Sequence, residues 1–340
     1  MFANCQKLTS VEILAQLTEL PKGTFYNCAA LTDVVLPNSI TVITGYDDQY
    51  GEQGMAFGKC VSLVTIKLPS SLKTIERNAF ANCLKLQSIE IPQGVTELGM
   101  GIFVNCSALS TIVVPETIEK AGIGVLNNCK WYNDQPDGPI YAGNVLFGYK
   151  GTMPAAYVLK DIPSNITVIA DQAIAQTNVT GIVIPGNIKY IGRFAFGACS
   201  SLKYAYIDKN VDTIPEAVFY MSTGVTIYTD APKHDAKNLH NNWDLRAFNH
   251  IEVDKESQSQ YYVNLNVFYD CVFAENYEYV ASITRAGAKL NQDFDLNPPV
   301  RTGYSFGGWS LTEGAETPDF LYNQVNKIPN GKRAYSVWAK

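Results

Sequence analysis

Eight cysteines are the residues with the most evident capacity for chemistry in this sequence of 340 residues. Cysteine can form disulfides, hold zinc or act as a nucleophile, and spacing helps to decide between these roles. Cys5 and Cys28 are separated by 23 residues, as are the consecutive cysteines from Cys60 to Cys129. The sequence lacks the paired C-x2-C spacing that zinc sites usually show. The regular spacing therefore indicates a repeated structural position.

Seven cysteines occupy this position, and an eighth, Cys271, lies outside it. The seven are Cys5, Cys28, Cys60, Cys83, Cys106, Cys129 and Cys199. Thr177 takes the same place in one divergent unit, so the position accepts a small side chain that is not a thiol. We predict a ladder of buried, unbridged cysteines that behave as small hydrophobes and cap a turn. Disulfides are the alternative, because neighbouring units bring such residues within bridging distance.

The other reactive side chains do not form a catalytic or metal-binding set. The three histidines, His234, His240 and His250, lack the i, i+4 spacing of a helical metal pair. The acidic stretch 47–52 offers too few oxygens, too close together, for calcium. Signatures of phosphate, dinucleotide and serine-hydrolase sites do not occur in the sequence. We therefore expect no metal, no cofactor and no enzyme. A glycan-active enzyme is a remote alternative, and it would need two facing carboxylates in a cleft.

The elements that must position these residues repeat every 23 residues. Each unit reads F-x-x-C-x-x-L-x-x-I-x-I/L-P-x-x-V-x-x-I, and residues 80–98 follow it with Leu98 in the last place. The L-x-x-I-x-I stretch alternates as a short strand does, and Pro ends it where ladder pairing stops. One unit cannot bury its own apolar face, but a stack of units makes a continuous core.

The repeat therefore predicts a leucine-rich-repeat solenoid of about nine units over residues 1–230. We expect a right-handed superhelix with a parallel β-sheet along one wall and short helical or 3-10 turns opposite it. The Phe three places before each Cys should form a stacked aromatic spine.

Two insertions break the period, near 44–54 and 130–156. We expect both to leave the solenoid as loops, where binding residues tend to lie. The first contains Tyr46 and Tyr50, which are binding candidates. The aromatic residues of the second, which either pack back on the solenoid or meet a partner, are Trp131, Tyr132, Tyr141 and Tyr149.

The repeat resembles the Treponema-type leucine-rich repeats of BspA-like bacterial surface proteins. The motif that carries the resemblance is L-x-x-I-x-L-P with A-F-x-x-C, the latter at Ala79, Phe80 and Cys83 and at Ala195, Phe196 and Cys199. Residues 143–149 are also similar to the strand-and-turn insertion that such proteins often carry. The resemblance implies a secreted or surface-anchored protein that binds host or microbial macromolecules, and it does not imply an enzyme.

The chain changes character after the repeats. Residues 231–258 are polar and predict a C-terminal cap followed by a linker. Residues 298–309 resemble the P-x-R-x-G-Y-x-F-x-G-W signature of the Listeria–Bacteroides repeat, also called the internalin B-repeat, and 334–338 resemble its closing strand. This second resemblance implies a small α+β module with a β-grasp-like fold over 259–340.

The outward-facing strand residues of the last coils are the main binding candidates. They include Lys203, Tyr204, Tyr206 and Tyr228. One hypothesis is that the three tyrosines form an exposed aromatic strip, since Tyr is over-represented at binding hot spots. The alternative is a set of aromatic cross-strand pairs that stabilises the sheet.

The composition argues against two classes of partner, while the architecture and the resemblance imply a binding protein outside the cell. The formal net charge of -6 argues against a nucleic-acid partner, and no apolar run is long enough to span a membrane. We predict a monomeric, adhesin-like segment that recognises an extracellular protein, such as a host matrix component, or a glycan. The alternative is a spacer within a longer surface protein. Because the chain opens inside a repeat, we expect its signal and anchor to lie in the rest of a longer protein.

Overall fold

The computed structural model describes residues 2–46 and 51–229, apart from 212, 216, 223 and 224, and short segments beyond 229. The strands of the repeat region are β1 (Ser10–Glu12), β2 (Glu19–Leu20), β3 (Asp33–Val35), β4 (Val42–Ile43), β5 (Thr74–Ile75), β6 (Ser88–Glu90), β7 (Glu97–Leu98), β8 (Thr111–Val113), β9 (Lys120–Ala121), β10 (Gly138–Ala142), β11 (Val145–Lys150), β12 (Val158–Leu159), β13 (Val168–Ile169), β14 (Gly181–Ile184), β15 (Tyr190–Ile191), β16 (Tyr204–Ile207) and β17 (Thr226–Thr229). A 3-10 helix (Glu52–Gly54) and the helix α1 (Lys130–Asp134) complete this region.

The repeat region is a parallel β-solenoid of about nine turns, as the repeat predicts. Each regular coil contributes two short strands, so parallel strands form two walls. Wall one contains the predicted strands and runs through β1–β3, β6–β8 and β12–β14–β16–β17. Wall two follows the Pro of each unit and runs through β2–β4–β5–β7–β9 and β11–β13–β15. The expectation of a sheet on one wall alone is therefore wrong, because the V-x-x-I stretch is also extended.

The turn around the cysteine position is not a helix, contrary to the expectation of short helical turns. The residue before each cysteine place has a positive φ; these residues are Asn4, Asn27, Lys59, Asn82, Asn105, Asn128, Gln176, Ala198 and Met221. Most coils place a second such residue four positions earlier, at Gly23, Asn78, Gly101, Gly124, Gln172, Phe194 and Ala217. A right-handed helix cannot continue through left-handed residues, so the chain forms a tight turn at this corner of the coil.

The interior of the coils is one continuous apolar core that extends from Leu20 to Ile227. The predicted Phe spine is confirmed, with ring centroids 5.3 Å apart for Phe25 and Phe57 and 4.9 Å apart for Phe57 and Phe80. Each stacked pair adds about 0.5–1.5 kcal/mol beyond the burial of its area. Leu126 and Ile174 take the Phe place in coils that lack the ring, and both are buried.

The seven cysteines of the ladder are free thiols in the structure, and the unbridged ladder stays a prediction that thiol titration tests. Its geometry also explains the residue type. Cys60 Sγ donates to the carbonyl of Phe25 at 3.1 Å, and Cys83 Sγ donates to that of Phe57 at 3.2 Å. Each thiol thus adds a second hydrogen bond to a carbonyl of the preceding coil, which also accepts the backbone N–H of the cysteine in its own coil.

Cys5 is the exception to burial in the ladder, because it is exposed. The expectation of a buried thiol is wrong at this residue and correct at the six that follow.

The second insertion does not leave the solenoid as a loop, contrary to our expectation. It forms α1 and then a hairpin in which β10 and β11 pair antiparallel, while β11 pairs parallel with β13 as a strand of wall two. The aromatic residues of this segment, Trp131, Tyr132, Tyr141 and Tyr149, pack on the core. Of the two predicted outcomes, packing back on the solenoid is therefore the one observed.

The first insertion is held to the solenoid by polar contacts on both of its sides. Glu52 Oε2 lies 2.6 Å from Lys59 Nζ, which in turn donates to the Tyr26 hydroxyl at 3.1 Å. Gly45 N–H donates to the Glu76 carboxylate at 2.9 Å. Residues 47–50 lie outside the described part of the chain.

Beyond the solenoid the structure describes strand segments: β18 (Asn249–Val253), β19 (Gln260–Asn264), β20 (Asn266–Phe268), β21 (Val272–Phe273), β22 (Tyr279–Val280), β23 (Ser305–Ser310) and β24 (Tyr335–Ala339). The pairs β18–β19, β21–β22 and β23–β24 are antiparallel. β20 adds to wall one beside β17, so a strand from beyond residue 259 covers the last coil. The predicted linker and β-grasp-like module otherwise fall largely outside the described residues. No helix in the described part of the chain is long and apolar enough to cross a membrane.

Candidate functional site: a tyrosine surface on the last coils

The candidate site lies on the outer face of β16. Along this strand Ala205 and Ile207 are buried in the core, while Tyr204 and Tyr206 face away from it and are half-buried. The two rings lie side by side, with centroids 5.2 Å apart and a tilt of 57°. We call Lys203, Tyr204 and Tyr206 the tyrosine surface.

The ring of Tyr204 rests on the neighbouring strand. Gly181 is its register partner on β14, and a Cβ built at Gly181 would lie 2.3 Å from Tyr204 Cζ. The glycine therefore makes room for the ring, and Gly181 is itself buried. Burial also raises the pKa of the Tyr204 hydroxyl. The cross-strand packing that we gave as the alternative is thus present, while part of the Tyr204 side chain stays exposed.

Tyr228 does not belong to an exposed strip. Its ring stacks on Tyr206, with centroids 5.0 Å apart, but it is 2% exposed. β20 pairs with β17 on the far side, in a register that places Phe268 opposite Tyr228. Tyr228 therefore occupies an interior position of wall one, and the hypothesis of an exposed strip is wrong at this residue. Its role is to support the Tyr206 ring.

Lys203 sets the charge at the edge of this surface. Its side chain is exposed at the start of β16, and its backbone N–H donates to the Thr180 carbonyl at 3.0 Å. The Thr226 N–H donates to the Lys203 carbonyl at 2.9 Å. Hydrogen bonds to the strands on both sides therefore hold the backbone at Lys203 in place.

The remainder of wall one presents a different surface. The positions equivalent to Tyr206 on successive strands form one column along wall one. In the N-terminal coils this column holds Val35, Lys67, Glu90 and Val113. Val35 and Val113 are each 49% exposed. Aromatic side chains in this column are thus confined, among the described strands, to the C-terminal coils.

The loop candidates are not brought to the tyrosine surface. The Tyr46 ring packs against the Arg77 guanidinium, whose carbon lies 4.3 Å from the ring centroid. Tyr46 also packs on the small cluster of Tyr26, Met55 and Ala81. It anchors the first insertion to the solenoid, and Tyr50 lies outside the described residues.

Four buried cysteines of the ladder are poorly suited to react as thiolates. Burial raises the pKa of Cys60 to about 12 and that of Cys129 to about 11. Burial also raises the pKa of Cys83 and Cys199. A thiol is nucleophilic and binds metal as the thiolate, so these raised values favour a packing role.

Sequence reasoning missed a ladder of asparagines beside the cysteines. Asn27 Nδ2 donates to Asn4 Oδ1 at 2.8 Å, and Asn105 Nδ2 donates to Asn82 Oδ1 at 3.0 Å. The signal was present, since Asn precedes Cys in most of the early units. Asn tolerates the left-handed backbone of this position better than most residues, and its side chain then links adjacent coils.

The geometry elsewhere gives little support to catalysis. In the described ranges the buried polar residues are all uncharged, and no group of three or more His, Cys, Asp and Glu residues could hold a metal ion. Burial raises the pKa of Asp171, but its carboxylate accepts the Arg193 N–H of the next coil at 2.9 Å. That hydrogen bond links two neighbouring coils, so we assign Asp171 a structural role. Cys271 and the side chains of the three histidines lie outside the described residues.

The family follows from comparison with known repeats. The model of the BspA type leucine rich repeat region matches in six copies, at residues 1–47, 53–134 and 159–233, which is more than half of the chain. The chain belongs to the BspA-type leucine-rich-repeat family. The two gaps between the matched ranges of this BspA-type chain coincide with the insertions. No curated protein matches the chain.

Several solved structures are similar to the solenoid of this BspA-type chain. A leucine-rich repeat protein from Bacteroides ovatus is 23% identical, with a TM-score of 0.36; the match covers 66% of this chain and 56% of that one. A leucine rich cell surface protein from Faecalibacterium prausnitzii is 20% identical over 66% of this chain and 80% of that one, with a TM-score of 0.37. The leucine-rich repeat protein of T. pallidum is 19% identical over 65% and 69%, with a TM-score of 0.28. This chain thus spans little more than half of the Bacteroides ovatus chain.

Proposed function

We propose that this chain is a non-enzymatic binding segment of a secreted or cell-surface protein. In this proposal it acts as a monomer and recognises an extracellular protein or glycan with the tyrosine surface. The location is supported by membership of the BspA-type family, whose repeats resemble those of bacterial surface proteins. Protease treatment of intact cells tests it, because a surface protein is cleaved while the cells remain whole.

The observation that carries the binding proposal is the pair of partly exposed rings of Tyr204 and Tyr206, whose centroids lie 5.2 Å apart on one strand. Tyrosine offers a large apolar face and a polar hydroxyl at a small cost in conformational entropy, which suits it to binding surfaces. Here the cost is lower still, because Gly181 and Tyr228 already fix the two rings. Lys203 adds a positive charge at the rim, where charge steers a partner more than it adds affinity.

A binding screen against host matrix proteins and glycans tests this proposal. The test variant carries Tyr204→Ser and Tyr206→Ser, and the control variant carries Val35→Ser and Val113→Ser at exposed positions of the same wall. We expect the tyrosine variant to bind at least about tenfold more weakly and the control to bind as the parent does. Circular dichroism and the melting temperature verify that both variants are folded. Equal binding by the tyrosine variant would refute the proposed surface.

A spacer role is the second candidate, and the continuous core favours it. One apolar cluster runs through the coils without interruption, so the solenoid is a stiff rod that can hold another domain at a distance. A screen in which no ligand binds the parent chain, together with loss of surface display when coils are deleted from the full-length protein, would favour this role.

A further inference from the structure

Three tyrosines and one carboxylate gather where the second insertion rejoins the solenoid. Tyr141 lies on β10, Tyr149 lies on β11, and Tyr157 directly precedes β12 of wall one. Asp161 follows β12 by two residues. We call these four residues the insertion cluster. All three tyrosines lie between the ranges 53–134 and 159–233 that match the family model, so the repeat pattern does not account for them.

The rings of Tyr149 and Tyr157 form a corner. Their centroids lie 5.3 Å apart, and the two ring planes are inclined at 70° to each other. Both residues pack against the apolar core and stay partly exposed. The Tyr157 carbonyl accepts the N–H of Thr180 at 2.8 Å and its Oγ1 at 2.9 Å. Folding therefore places two aromatic rings nearly at right angles at the surface, with the backbone of one of them tied to the next coil.

Asp161 lies near two of the tyrosine hydroxyls. Burial, Tyr157 and the Asp161 carboxylate together raise the pKa of the Tyr141 hydroxyl to about 12. Burial, Tyr149 and Asp161 raise the pKa of the Tyr157 hydroxyl. A carboxylate acts on the pKa of another group over short distances, so these effects bring the four residues into one neighbourhood.

The carboxylate of Asp161 is available to a ligand. The residue is exposed, and in the described part of the chain no hydrogen bond or ion pair engages its carboxylate. Lys160 precedes it and is also exposed, but it is not among the groups that shift the pKa of Tyr141 or Tyr157. The charge that acts on these hydroxyls is therefore negative.

A negative charge beside aromatic rings favours a cationic ligand. The field that opposes ionisation of a phenol stabilises a positive charge at the same place. The faces of aromatic rings carry the negative part of the ring quadrupole, so the corner of Tyr149 and Tyr157 attracts a cation as well. The carboxylate and the rings thus act in the same direction.

A methylated ammonium group matches the insertion cluster better than other cations do. A metal ion needs several ligand atoms, and in the described ranges no group of three or more His, Cys, Asp and Glu residues could hold one. The ammonium of lysine is compact and strongly hydrated, and its three N–H groups need acceptors. A quaternary ammonium has no N–H group to satisfy, and proteins recognise it with aromatic cages.

We propose that the insertion cluster binds a quaternary ammonium group of the kind carried by choline. Its methyl groups pack in the corner of Tyr149 and Tyr157, next to Tyr141, and its charge is balanced by the Asp161 carboxylate. This site goes beyond the proposed recognition by the tyrosine surface and does not depend on it. Failure of either proposal therefore leaves the other standing.

Isothermal titration of the whole chain with small probes tests the proposal. The probes are choline, its neutral carbon isostere 3,3-dimethyl-1-butanol, the unmethylated amine ethanolamine, and methyl glucoside as a sugar. We expect choline to bind at least about tenfold more tightly than each of the other three. No binding of choline would overturn the proposal. Equal binding of the isostere would show apolar contact alone and would overturn it as well, as would tighter binding of the sugar.

Two sources of the same group are separated by a second titration. Soluble choline compounds and the headgroups of choline lipids both carry a quaternary ammonium. Vesicles of phosphatidylcholine, compared with vesicles of phosphatidylglycerol, show whether the chain binds the group on a membrane. Binding of choline together with the phosphatidylcholine vesicles assigns the lipid headgroup, and binding of choline alone assigns a soluble compound.

Matched variants assign choline binding to the insertion cluster. Asp161→Asn should weaken it by about tenfold, because it removes the charge and Asn tolerates the left-handed backbone at φ 57°. Asp33→Asn removes an exposed carboxylate from wall one and should leave the affinity unchanged. Equal losses for the two variants would indicate a general effect of charge and contradict the site.

A second set of variants tests the aromatic corner. Tyr157→Leu should weaken choline binding by about tenfold, while Tyr157→Phe keeps the ring and should stay within about threefold of the parent. Tyr220→Leu changes a partly exposed tyrosine that forms a similar edge-to-face pair with Phe194, at 5.3 Å, and should have no effect. Circular dichroism verifies that each variant is folded. Equal affinities of the Leu and Phe variants at Tyr157 would refute the role of the ring.

Discussion

Tyr204 lies so close over Gly181 that a Cβ at the glycine would meet Tyr204 Cζ at 2.3 Å. This contact predicts a specific coupling between two mutations. Gly181→Ala should lower the free energy of unfolding of the parent chain by about 1–3 kcal/mol. The added methyl group displaces the Tyr204 ring, and overpacking of this kind destabilises proteins by about this amount. In a Tyr204→Ala background the same change should be nearly neutral. A double-mutant cycle measured by urea unfolding gives the coupling free energy, and additive effects would show that the ring does not rest on Gly181.

The second prediction concerns the cysteine place of the last coil, which Ser222 holds. Ser222 Oγ donates to the Phe196 carbonyl at 2.6 Å and accepts the Cys199 N–H at 2.9 Å. Ser222→Ala removes both contacts from a fully buried site and should lower the free energy of unfolding by about 1–3 kcal/mol. Ser222→Cys restores the residue of the ladder and should cost less. An equal cost for both variants would contradict the role given to this side chain.

The third prediction is that the ladder thiols are unreactive until the chain unfolds. The pKa of Cys60 is about 12 in the folded chain, because of burial, and about 8.5 in an unfolded one. Because the folded pKa is raised, the stability gained by keeping this thiol neutral is fully present below about pH 8.5 and is lost as the pH rises towards 12. At pH 8, Ellman's reagent should therefore label exposed Cys5 rapidly and the six buried ladder cysteines slowly.

Mass spectrometry of the labelled peptides checks the thiol prediction residue by residue. Titration in denaturant without reductant should then reveal all seven ladder thiols. Two or fewer free ladder thiols in that state would contradict the unbridged ladder.

The fourth prediction concerns the left-handed position of the asparagine ladder. Asn105 has a φ of 61° and shares hydrogen bonds with Asn82 and Asn128. Asn105→Ala should destabilise the chain by about 1–2 kcal/mol, since a left-handed conformation costs Ala about this much and the side-chain bonds are lost. Asn105→Gly relieves the backbone cost and loses the same bonds. The difference in the free energy of unfolding between the two variants, measured in urea, gives the cost of the left-handed backbone for Ala. Equal losses for the Gly and Ala variants would contradict this account.

Much of the fold could be predicted from the sequence because the repeat is local and periodic. The F-x-x-C and L-x-x-I-x-I spacings fix which residues face inward, and Thr177 in a cysteine place already argued for packing over chemistry. The second wall was missed because its strands are two residues long, as at Thr74–Ile75, and too short to show alternation. The left-handed turns were missed because Lys59 and Ala198 occupy a position where Asn is the recognisable signal.

The candidate site was predictable in position but not in exposure. The alternation along β16 identifies Tyr204 and Tyr206 as outward-facing residues. The burial of Tyr228 depends on β20, which is distant in sequence and carries no repeat signal.

Hydroxyl-radical footprinting of the chain, free and bound to the tightest ligand from the screen, tests the central claim most directly. The claim is that the solenoid recognises its partner with the tyrosine surface. Binding should lower the oxidation of Tyr204 and Tyr206 several-fold and leave that of Tyr46 and Tyr190 unchanged, while Tyr228 should be weakly oxidised in both states because it is buried. Unchanged oxidation of Tyr204 and Tyr206 in the saturated complex would contradict the account.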